Sequence, residues 1–176
     1  MTSRARWLVA GAVILGLVTS ACAQEVSRST FKNAEGKDVG TLTIEHLASG
    51  TVFMLDLHDL PPGPRAMHLH AVGTCTPPSF DSAGPHWNPT GKQHGKENPQ
   101  GPHLGDLPNI TIKPDGTLET QFTIQGITLR GEQGLLDGDG GAMIIHAGPD
   151  DYKTDPTGNA GARIACAVVG IPARQE

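Results

Sequence analysis

Short stretches of alternating or continuous apolar residues recur along the chain from residue 38 onward. Many of them contain β-branched side chains, and Gly and Pro separate them, which is the pattern of β-strands joined by turns. No long stretch repeats apolar residues at helical spacing, and we find no internal repeat of fixed period. The pattern therefore predicts an all-β fold, with strands at residues 38–46, 51–59, 65–72, 109–113, 117–125, 142–146 and 163–169.

Two stretches between these strands have no hydrophobic period and are rich in Gly, Pro and polar residues, which predicts two long loops at 73–108 and 147–162. Loops of the first one's length in a compact domain are usually functional or disordered. Between residues 113 and 117, Pro114-Asp115-Gly116 is a turn signal and predicts a hairpin. The 176 residues include 23 Gly and 14 Pro but only two Trp and one Tyr, and the length favours a single domain.

The first 23 residues have the features of a secretory signal peptide. Arg4 and Arg6 precede an apolar run at residues 8–18, and small residues follow as far as Ala23. The apolar run is too short for a membrane span. The pattern therefore predicts export, to the periplasm or another part of the cell envelope.

Two processing routes are open, and either one accounts for the odd cysteine among three. Cleavage before residue 24 removes Cys22 and leaves residues 24–176 as the mature domain, whereas lipoprotein processing at 19–22 makes Cys22 the lipidated first residue. Cys75 and Cys166 then form an even pair in an oxidising compartment, where a disulfide is expected. The alternative is two buried free thiols.

Six of the eight histidines, together with one aspartate, form the candidate chemistry. They are His68, His70, His86, His94, His103 and His146, and Asp106 lies three residues after the fifth. The first two are two apart in a predicted strand, so that their side chains share one face. The long first loop supplies three imidazoles and one carboxylate, a complete tetrahedral set for zinc. Imidazole also suits copper, so two metals sharing one span imply redox chemistry with a structural helper.

Each of these residues also has a plain alternative. The strand pair could be two partly exposed histidines, and the loop histidines could belong to a solvated polar loop. His146 ends the apolar run 143–145 and could be a core histidine bonded to backbone. The concentration of histidine in a loop with few hydrophobic residues favours metal binding, since ligand bonds can order a segment that lacks a packed core.

The chain resembles the copper/zinc superoxide dismutases of the bacterial exported type over nearly all of residues 38–172. The motifs that carry the resemblance are His68-Leu69-His70, Ser82-Ala83-Gly84-Pro85-His86-Trp87-Asn88-Pro89, His94-Gly95, His103-Leu104-Gly105-Asp106-Leu107, His146 with Pro149-Asp150-Asp151, and Thr157-Gly158-Asn159-Ala160-Gly161-Ala162-Arg163-Ile164-Ala165-Cys166. It implies an eight-stranded Greek-key β-barrel or sandwich. It also implies a Cys75–Cys166 disulfide.

The resemblance assigns the ligands as follows. It implies copper held by His68, His70, His86 and His146, and zinc held by His86, His94, His103 and Asp106, with the His86 imidazole bridging the two metals. In the implied cycle, Cu(II) oxidises one superoxide to dioxygen and Cu(I) reduces a second to hydrogen peroxide. His86 then carries a proton, while zinc keeps its redox state and holds the loop.

Two further residues have implied roles. Asp150 matches a carboxylate that accepts N–H bonds from one copper and one zinc histidine, here His68 and His94. Arg163 is the candidate for binding superoxide, because a guanidinium offers parallel donors and a fixed positive charge to a small anion. A solvated loop acid and a surface arginine are the respective alternatives.

The charge of the chain bears on its partners. Loss of Arg4 and Arg6 with the leader takes the formal net charge from −5 to −7, which repels superoxide at long range and argues against nucleic acid. Local charge, from the metals, Arg163 and a hypothetical contribution of Lys153, must then guide the substrate. A non-catalytic exported copper/zinc-binding protein is the alternative function, and a monomer and a homodimer both remain open.

Overall fold

Nine strands and one short 3-10 turn make up the regular structure of the part of the chain that can be described. The computed structural model describes residues 25–47, 50–125, 127, 134–136 and 138–170. The predicted signal peptide, Cys22 and both cleavage alternatives lie outside these residues. Among the described residues, no helix has the length and apolar character needed to cross a membrane.

The strands are β1 (Glu25–Asn33), β2 (Asp38–Leu47), β3 (Gly50–Leu57), β4 (Gly63–Arg65), β5 (Met67–His70), β6 (Ile110–Ile112), β7 (Leu118–Ile124), β8 (Gly141–His146) and β9 (Arg163–Val169). All recorded pairings between them are antiparallel. A 3-10 turn covers Asp81–Ala83. The prediction of an all-β fold is confirmed.

The strands form a curled sheet with the order β5-β8-β9-β1-β2-β3-β7, and β4 pairs with β6. Only Ala66 separates β4 from β5, so the two count as one interrupted strand and the total becomes eight, as predicted. Strand β3 pairs with β7 and not with β4, and β6 pairs with β4 and not with β7. The connections β3–β4 and β6–β7 therefore cross from one side of the barrel to the other. Such crossings give the Greek-key connectivity.

The turn at Pro114-Asp115-Gly116 forms, but the predicted hairpin ladder is wrong. Lys113 N–H donates to the Thr117 carbonyl at 2.9 Å, and the Asp115 carboxylate accepts from the Thr117 amide and hydroxyl at 3.0 and 2.7 Å. The flanking strands then diverge, because β6 pairs with β4 and β7 pairs with β3. Local turn chemistry fixed the bend, whereas burial against other strands decided the partners.

The inner faces of the strands share one core. In β3, Phe53, Leu55 and Leu57 alternate with more exposed residues and pack with the inward side chains of the neighbouring strands. Every residue of β5 and of β8 is buried, so these two strands have no solvent-facing side. The histidines at the ends of β5 and β8 are therefore held by rigid, fully packed backbone.

Strand β1 is an element that the sequence pattern did not predict. Its inward residues include the small polar Ser27 and the aromatic Phe31, both buried, while Val26 is exposed. The visible hydrophobic signal is therefore weak. Its position is fixed instead by the long antiparallel register with β2 and a short one with β9.

The barrel wall and a disulfide hold the long first loop. The amide of Leu69 in β5 donates to Gly105 O at 2.9 Å, and Trp87 N–H donates to Leu69 O at 2.8 Å. Cys75 is bonded to Cys166 of β9, with the two Cα atoms 5.7 Å apart. These contacts bring a segment with little apolar content against the end of β5.

We expect the Cys75→Ser/Cys166→Ser double variant to lose stability. The bond joins residues 91 positions apart, and closing a loop of this length in the unfolded chain is worth about 4–5 kcal/mol on the chain-entropy estimate. Urea unfolding of the variant against the oxidised parent measures the difference in free energy of unfolding. The parent with its disulfide reduced by a thiol reductant is the matched control and should fall to about the same value; no loss in either form would contradict the expectation.

Candidate metal centre

Strands β5 and β8 lie side by side and deliver three buried histidines to one end of the barrel. His68 and His70 project from the same face of β5, and His146 is the last residue of the adjacent β8. Their side chains are almost completely buried. The isolated bridge between His70 and His86 brings the loop against this end. The buried antiparallel pair β5 and β8 thus presents its imidazoles to the long first loop.

Four histidines surround one point. One ring nitrogen from each of His68, His70, His86 and His146 lies within 4.8 Å of the others. His70 Nδ1–H donates to Gly84 O at 2.9 Å, and His146 Nδ1–H donates to Gly161 O at 3.1 Å. The Nε2 atoms of these two rings are therefore left with lone pairs that point inward when the rings are neutral.

The remaining two rings complete the same arrangement. His68 Nε2–H donates to the Asp150 carboxylate at 2.9 Å, so its Nδ1 faces inward, 3.2 Å from His146 Nε2. Within the part of the chain that the structure describes, the Nε2 atoms of His70 and His86 are buried and have no hydrogen-bond partner. Buried unpaired ring nitrogens are costly, at roughly 1–3 kcal/mol each, unless something accepts their lone pairs. A cation fits this place, and four imidazoles are a donor set that copper favours.

A second group of ligand atoms surrounds Asp106. The Nδ1 atoms of His86, His94 and His103 lie 3.0, 2.9 and 3.1 Å from Asp106 Oδ1. The other carboxylate oxygen accepts from the amides of Gly95 and His103 at 2.9 and 3.0 Å. Three imidazole nitrogens and one carboxylate oxygen are the set that tetrahedral zinc requires.

A purely distance-based grouping of ligand atoms gives a slightly different membership for the second group. The atoms that lie within 4.8 Å of one another there belong to His68, His86, His94 and Asp106, without His103. His68 Nε2 is bonded to Asp150 and its Nδ1 belongs to the first group, whereas His103 Nδ1 contacts Asp106 directly. Chemistry therefore favours His103 as the fourth donor.

His86 is the ring common to both groups. Its Nδ1 faces Asp106 and its Nε2 faces the other three histidines of the first group. The side chain is about 3% exposed, so neither nitrogen is open to bulk water. One imidazole can thus contact two cations at once.

Asp150 connects the two groups through the ring nitrogens that face away from the ligand positions. Its two oxygens accept from His68 Nε2 and His94 Nε2, each at 2.9 Å, and its side chain is fully buried. Gly158 packs so closely against this carboxylate that a Cβ atom there would overlap it. The carboxylate fixes both rings with their other nitrogens turned toward the ligand positions.

Arg163 and a cavity of about 520 Å³ lie beside the first group. Arg163 donates from Nη1 to Phe80 O at 2.6 Å and from Nη2 to Gly84 O at 2.8 Å. The cavity is lined by Ala71, Pro85, His86, Trp87, Asn88, Pro89, His103, Pro156, Thr157 and Arg163. The guanidinium is thereby fixed next to a ring of the first group and open to a solvent-connected space.

Lys153 does not line this cavity. Its Nζ is 3.1 Å from Glu97 Oε2, both side chains are at least half exposed, and Lys153 is not among the lining residues. Its charge is paired locally with a carboxylate. The geometry therefore gives no support to the hypothesis that Lys153 contributes to the local field.

Burial controls the pKa of the first group. Burial, with repulsion from neighbouring histidines, lowers the pKa of His70 to about 2, of His86 to about 4 and of His146 to about 3. These rings are neutral at neutral pH, which is the state that binds a metal ion.

His94 behaves in the opposite way. Burial alone would lower its pKa, but hydrogen bonds to Asp106 and Asp150 outweigh burial and raise the pKa to about 9. The same two carboxylates are also buried, yet hydrogen bonds from the histidines and backbone hold their pKa values far below the ordinary range. A proton on His94 Nδ1 thus occupies the position where a zinc ion would meet this ring.

Several residues that hold these rings were not among the predicted site residues. Gly84 and Gly161 act through backbone carbonyls. Asp155 accepts the His94 amide at 2.5 Å and lies 4.0 Å from His103 Nε2, and it is one of several acids in a polar loop. Only the folded arrangement brings such groups to the site.

We expect the metal-free protein to have its highest free energy of unfolding near pH 6.5. Below this pH the unfolded chain takes up protons on His70, His86 and His146 while the folded protein does not, so stability falls toward about pH 4. Above it the folded protein keeps the His94 proton up to about pH 9 while the unfolded chain releases it, so stability falls again. Each linked proton changes stability by up to about 1.4 kcal/mol per pH unit.

Urea midpoints of chelator-treated protein between pH 4.5 and 9 provide the measurement. The matched control is His94→Gln, which should lose the alkaline decline and keep the acid one. A parent profile that is flat or rises from pH 6.5 to 9 would show that His94 does not hold its proton.

Comparison with known proteins gives the family. The model of the family copper/zinc superoxide dismutase (SODC) matches residues 39–169. A curated relative, superoxide dismutase (Cu-Zn) 2 of Aquifex aeolicus, is 42% identical over 166 residues, which cover 92% of this chain and 96% of the relative.

Solved structures agree with this result. A SOD-like protein from Bacillus subtilis matches with a TM-score of 0.77 and 38% identity, over 81% of this chain and 97% of that chain. The Cu/Zn superoxide dismutase from Brucella abortus matches with a TM-score of 0.64 and 27% identity, over 83% and 100%. The family implies copper and zinc, and the two histidine groups could hold them. The chain belongs to the copper/zinc superoxide dismutase family and is an oxidoreductase of that family.

Proposed function

We propose that the protein converts superoxide to dioxygen and hydrogen peroxide at a copper ion, with zinc in a structural and tuning role. His68, His70, His86 and His146 would hold copper, and His86, His94, His103 and Asp106 would hold zinc. The observation that carries this proposal is the position of His86, whose two nitrogens face two complete ligand groups. Copper bound there would supply one-electron redox chemistry, so that one superoxide is oxidised to dioxygen and a second, with one proton from His86 and one from solvent, is reduced to hydrogen peroxide.

His86 is the proton carrier in this proposal. Its Nδ1 is held toward Asp106, so only Nε2 is free to gain or lose a proton on the side of the reaction. The ring can therefore hold a proton at Nε2 between the two half-reactions and deliver it to the reduced product.

Asp150 fixes the relative positions of the two ligand groups in this proposal. Because a carboxylate only accepts hydrogen bonds, it forces the proton of His68 onto Nε2 and leaves Nδ1 for the metal. The same carboxylate holds His94, so a shift of one ring is passed to the other group. Its role is orientation of ligands.

Arg163 binds the anion in this proposal. Two carbonyls fix its guanidinium at the cavity, and its charge is opposite to that of superoxide. With the leader removed, the chain carries a formal net charge of −7, so attraction must be local. A fixed cation in a confined space beside metal ions can provide that local field.

A non-catalytic metal-binding protein is the second candidate, since a relative from Bacillus subtilis is named only superoxide dismutase-like. A protein that only stores metal has no need for a guanidinium fixed at the mouth of the ligand group. The placement of Arg163 therefore favours catalysis.

We expect copper- and zinc-loaded protein to accelerate superoxide decay, and Arg163→Ala to slow it about tenfold or more. A hydrogen bond to a charged group is worth roughly 1.5–3 kcal/mol, which sets this scale. Pulse radiolysis with metal-free and loaded protein gives the rates, and metal content is measured on the same samples. Arg163→Lys separates charge from the planar guanidinium.

Lys153→Ala is the matched control, since it removes one cation from an exposed position paired with Glu97. It should leave both the rate and its salt dependence unchanged. Tight metal binding by the parent with no acceleration would favour the storage protein, and an Arg163→Ala rate equal to that of the parent would remove Arg163 from the proposal.

We also propose that the protein is exported to the periplasm or cell envelope. The support is the leader pattern of residues 1–23 and the Cys75–Cys166 disulfide, because structural disulfides persist in oxidising compartments. Mass spectrometry of the N-terminus of protein from its own cells should give residue 24 or a lipidated Cys22 as the first residue. An intact Met1 in cytoplasmic fractions would contradict export.

A further inference from the structure

Tyr152, the only tyrosine of the chain, connects three segments around the second ligand group. It lies in the second long loop, two residues after Asp150, and its side chain is partly buried. Its amide donates to Asp150 Oδ1 at 2.7 Å. The same carboxylate oxygen accepts from His94 Nε2 at 2.9 Å, so the backbone of Tyr152 touches the atom that orients a proposed zinc ligand.

The hydroxyl of Tyr152 reaches the segment that follows Asp106. Asn109 N–H donates to this hydroxyl at 2.8 Å. The Asn109 side chain in turn exchanges two hydrogen bonds with the backbone of Asp150, from Nδ2 to Asp150 O at 2.9 Å and from Asp150 N–H to Oδ1 at 2.8 Å. Tyr152, Asn109 and Asp150 therefore form a closed set of hydrogen bonds between the two loops.

The other contacts of Tyr152 hold the segment after His94. Its carbonyl accepts from Glu97 N–H at 3.0 Å, and the ammonium of Lys96 lies 3.8 Å from the centre of its ring. A Cβ atom at Gly95 would overlap the Tyr152 carbonyl, and Gly95 has φ +102°, a conformation that favours glycine. The loop that carries His94 thus lies directly on Tyr152.

We propose that Tyr152 is a positioning residue for the zinc half of the site, acting through Asn109, Asp150 and the loop of His94. The inference rests on the proposed zinc site of His86, His94, His103 and Asp106. Two of these ligands lie in segments that Tyr152 holds: His94 precedes Gly95 and Lys96, and Asp106 precedes Asn109 by three residues. Outer partners of ligands commonly change metal affinity by 10- to 100-fold when they are lost.

The test compares zinc affinities of matched variants. Tyr152→Phe removes the hydroxyl and keeps the ring under Lys96, while Lys96→Gln removes the cation and keeps the tyrosine. Thr90→Val is the control, because it removes an exposed hydroxyl of the same loop whose contact with Asn88 is long, at 3.4 Å. Full-length folded protein is dialysed against buffered zinc with copper present, and both metals are counted by atomic emission.

We expect Tyr152→Phe to weaken zinc binding by up to about tenfold and to leave copper binding unchanged, because its hydroxyl acts on the zinc ligands only through Asn109 and Asp150. Loss of the hydrogen bond to Asn109 should lower the melting temperature of the metal-free protein only slightly. Lys96→Gln should weaken zinc binding less, and Thr90→Val should match the parent. The absorption bands of cobalt bound in place of zinc should also shift in Tyr152→Phe, which reports altered ligand geometry.

Three results would overturn the inference, and they are distinct. Unchanged zinc affinity in Tyr152→Phe, with zinc bound normally by the parent, removes the positioning role alone. Equal losses of zinc binding, copper binding and metal-free melting temperature assign the residue to general folding. A parent that binds no zinc removes the proposed zinc site itself, and the positioning role with it.

Discussion

The imidazole of His86 lies between two groups of ligand atoms, and the geometry of both groups depends on it. Asp106 holds one nitrogen, and the other is buried without a partner among the described residues. A buried polar atom in that state is costly, and a cation in the first group removes the cost. Because a single rigid ring spans the two groups, a movement on one side changes the donor position on the other. The remaining contacts of the site serve to keep this ring and its neighbours in place.

The two long loops are ordered by polar contacts where other segments use apolar packing. The buried carboxylates of Asp106 and Asp150 accept hydrogen bonds from histidine nitrogens and backbone amides. The Cys75–Cys166 disulfide links the first loop covalently to β9. Such networks are favourable in a low-dielectric interior only when every member is satisfied. Their strength therefore varies with protonation and with the cation that they surround, in contrast to the barrel, whose apolar core is insensitive to either.

Parts of this architecture could be predicted from the chain, and others could not. Alternating burial in β2 and β3 follows from their side chains, and the spacing of the loop histidines predicted a group around Asp106 that the structure brings together. Strand β1 escaped prediction because its inward face is partly polar. The predicted pairing of the two strands that flank residues 114–116 was wrong, because a turn signal fixes a bend but does not determine which strands pair beyond it. Tyr152 and Asn109 carried no signal, since their partners lie more than 40 residues away.

The sequence by itself determined the fold class, the donor types and their local spacing, because these follow from side-chain periodicity and from the chemistry of imidazole, carboxylate and thiol groups. Only the tertiary structure decided which nitrogen of each ring faces inward, which carbonyls fix Arg163, and that Lys153 pairs with Glu97 instead of lining the cavity. Those choices depend on distances between segments separated by up to about eighty residues along the chain. They are set by the pairing of β5 with β8 and by the packing of two loops, which no local pattern encodes.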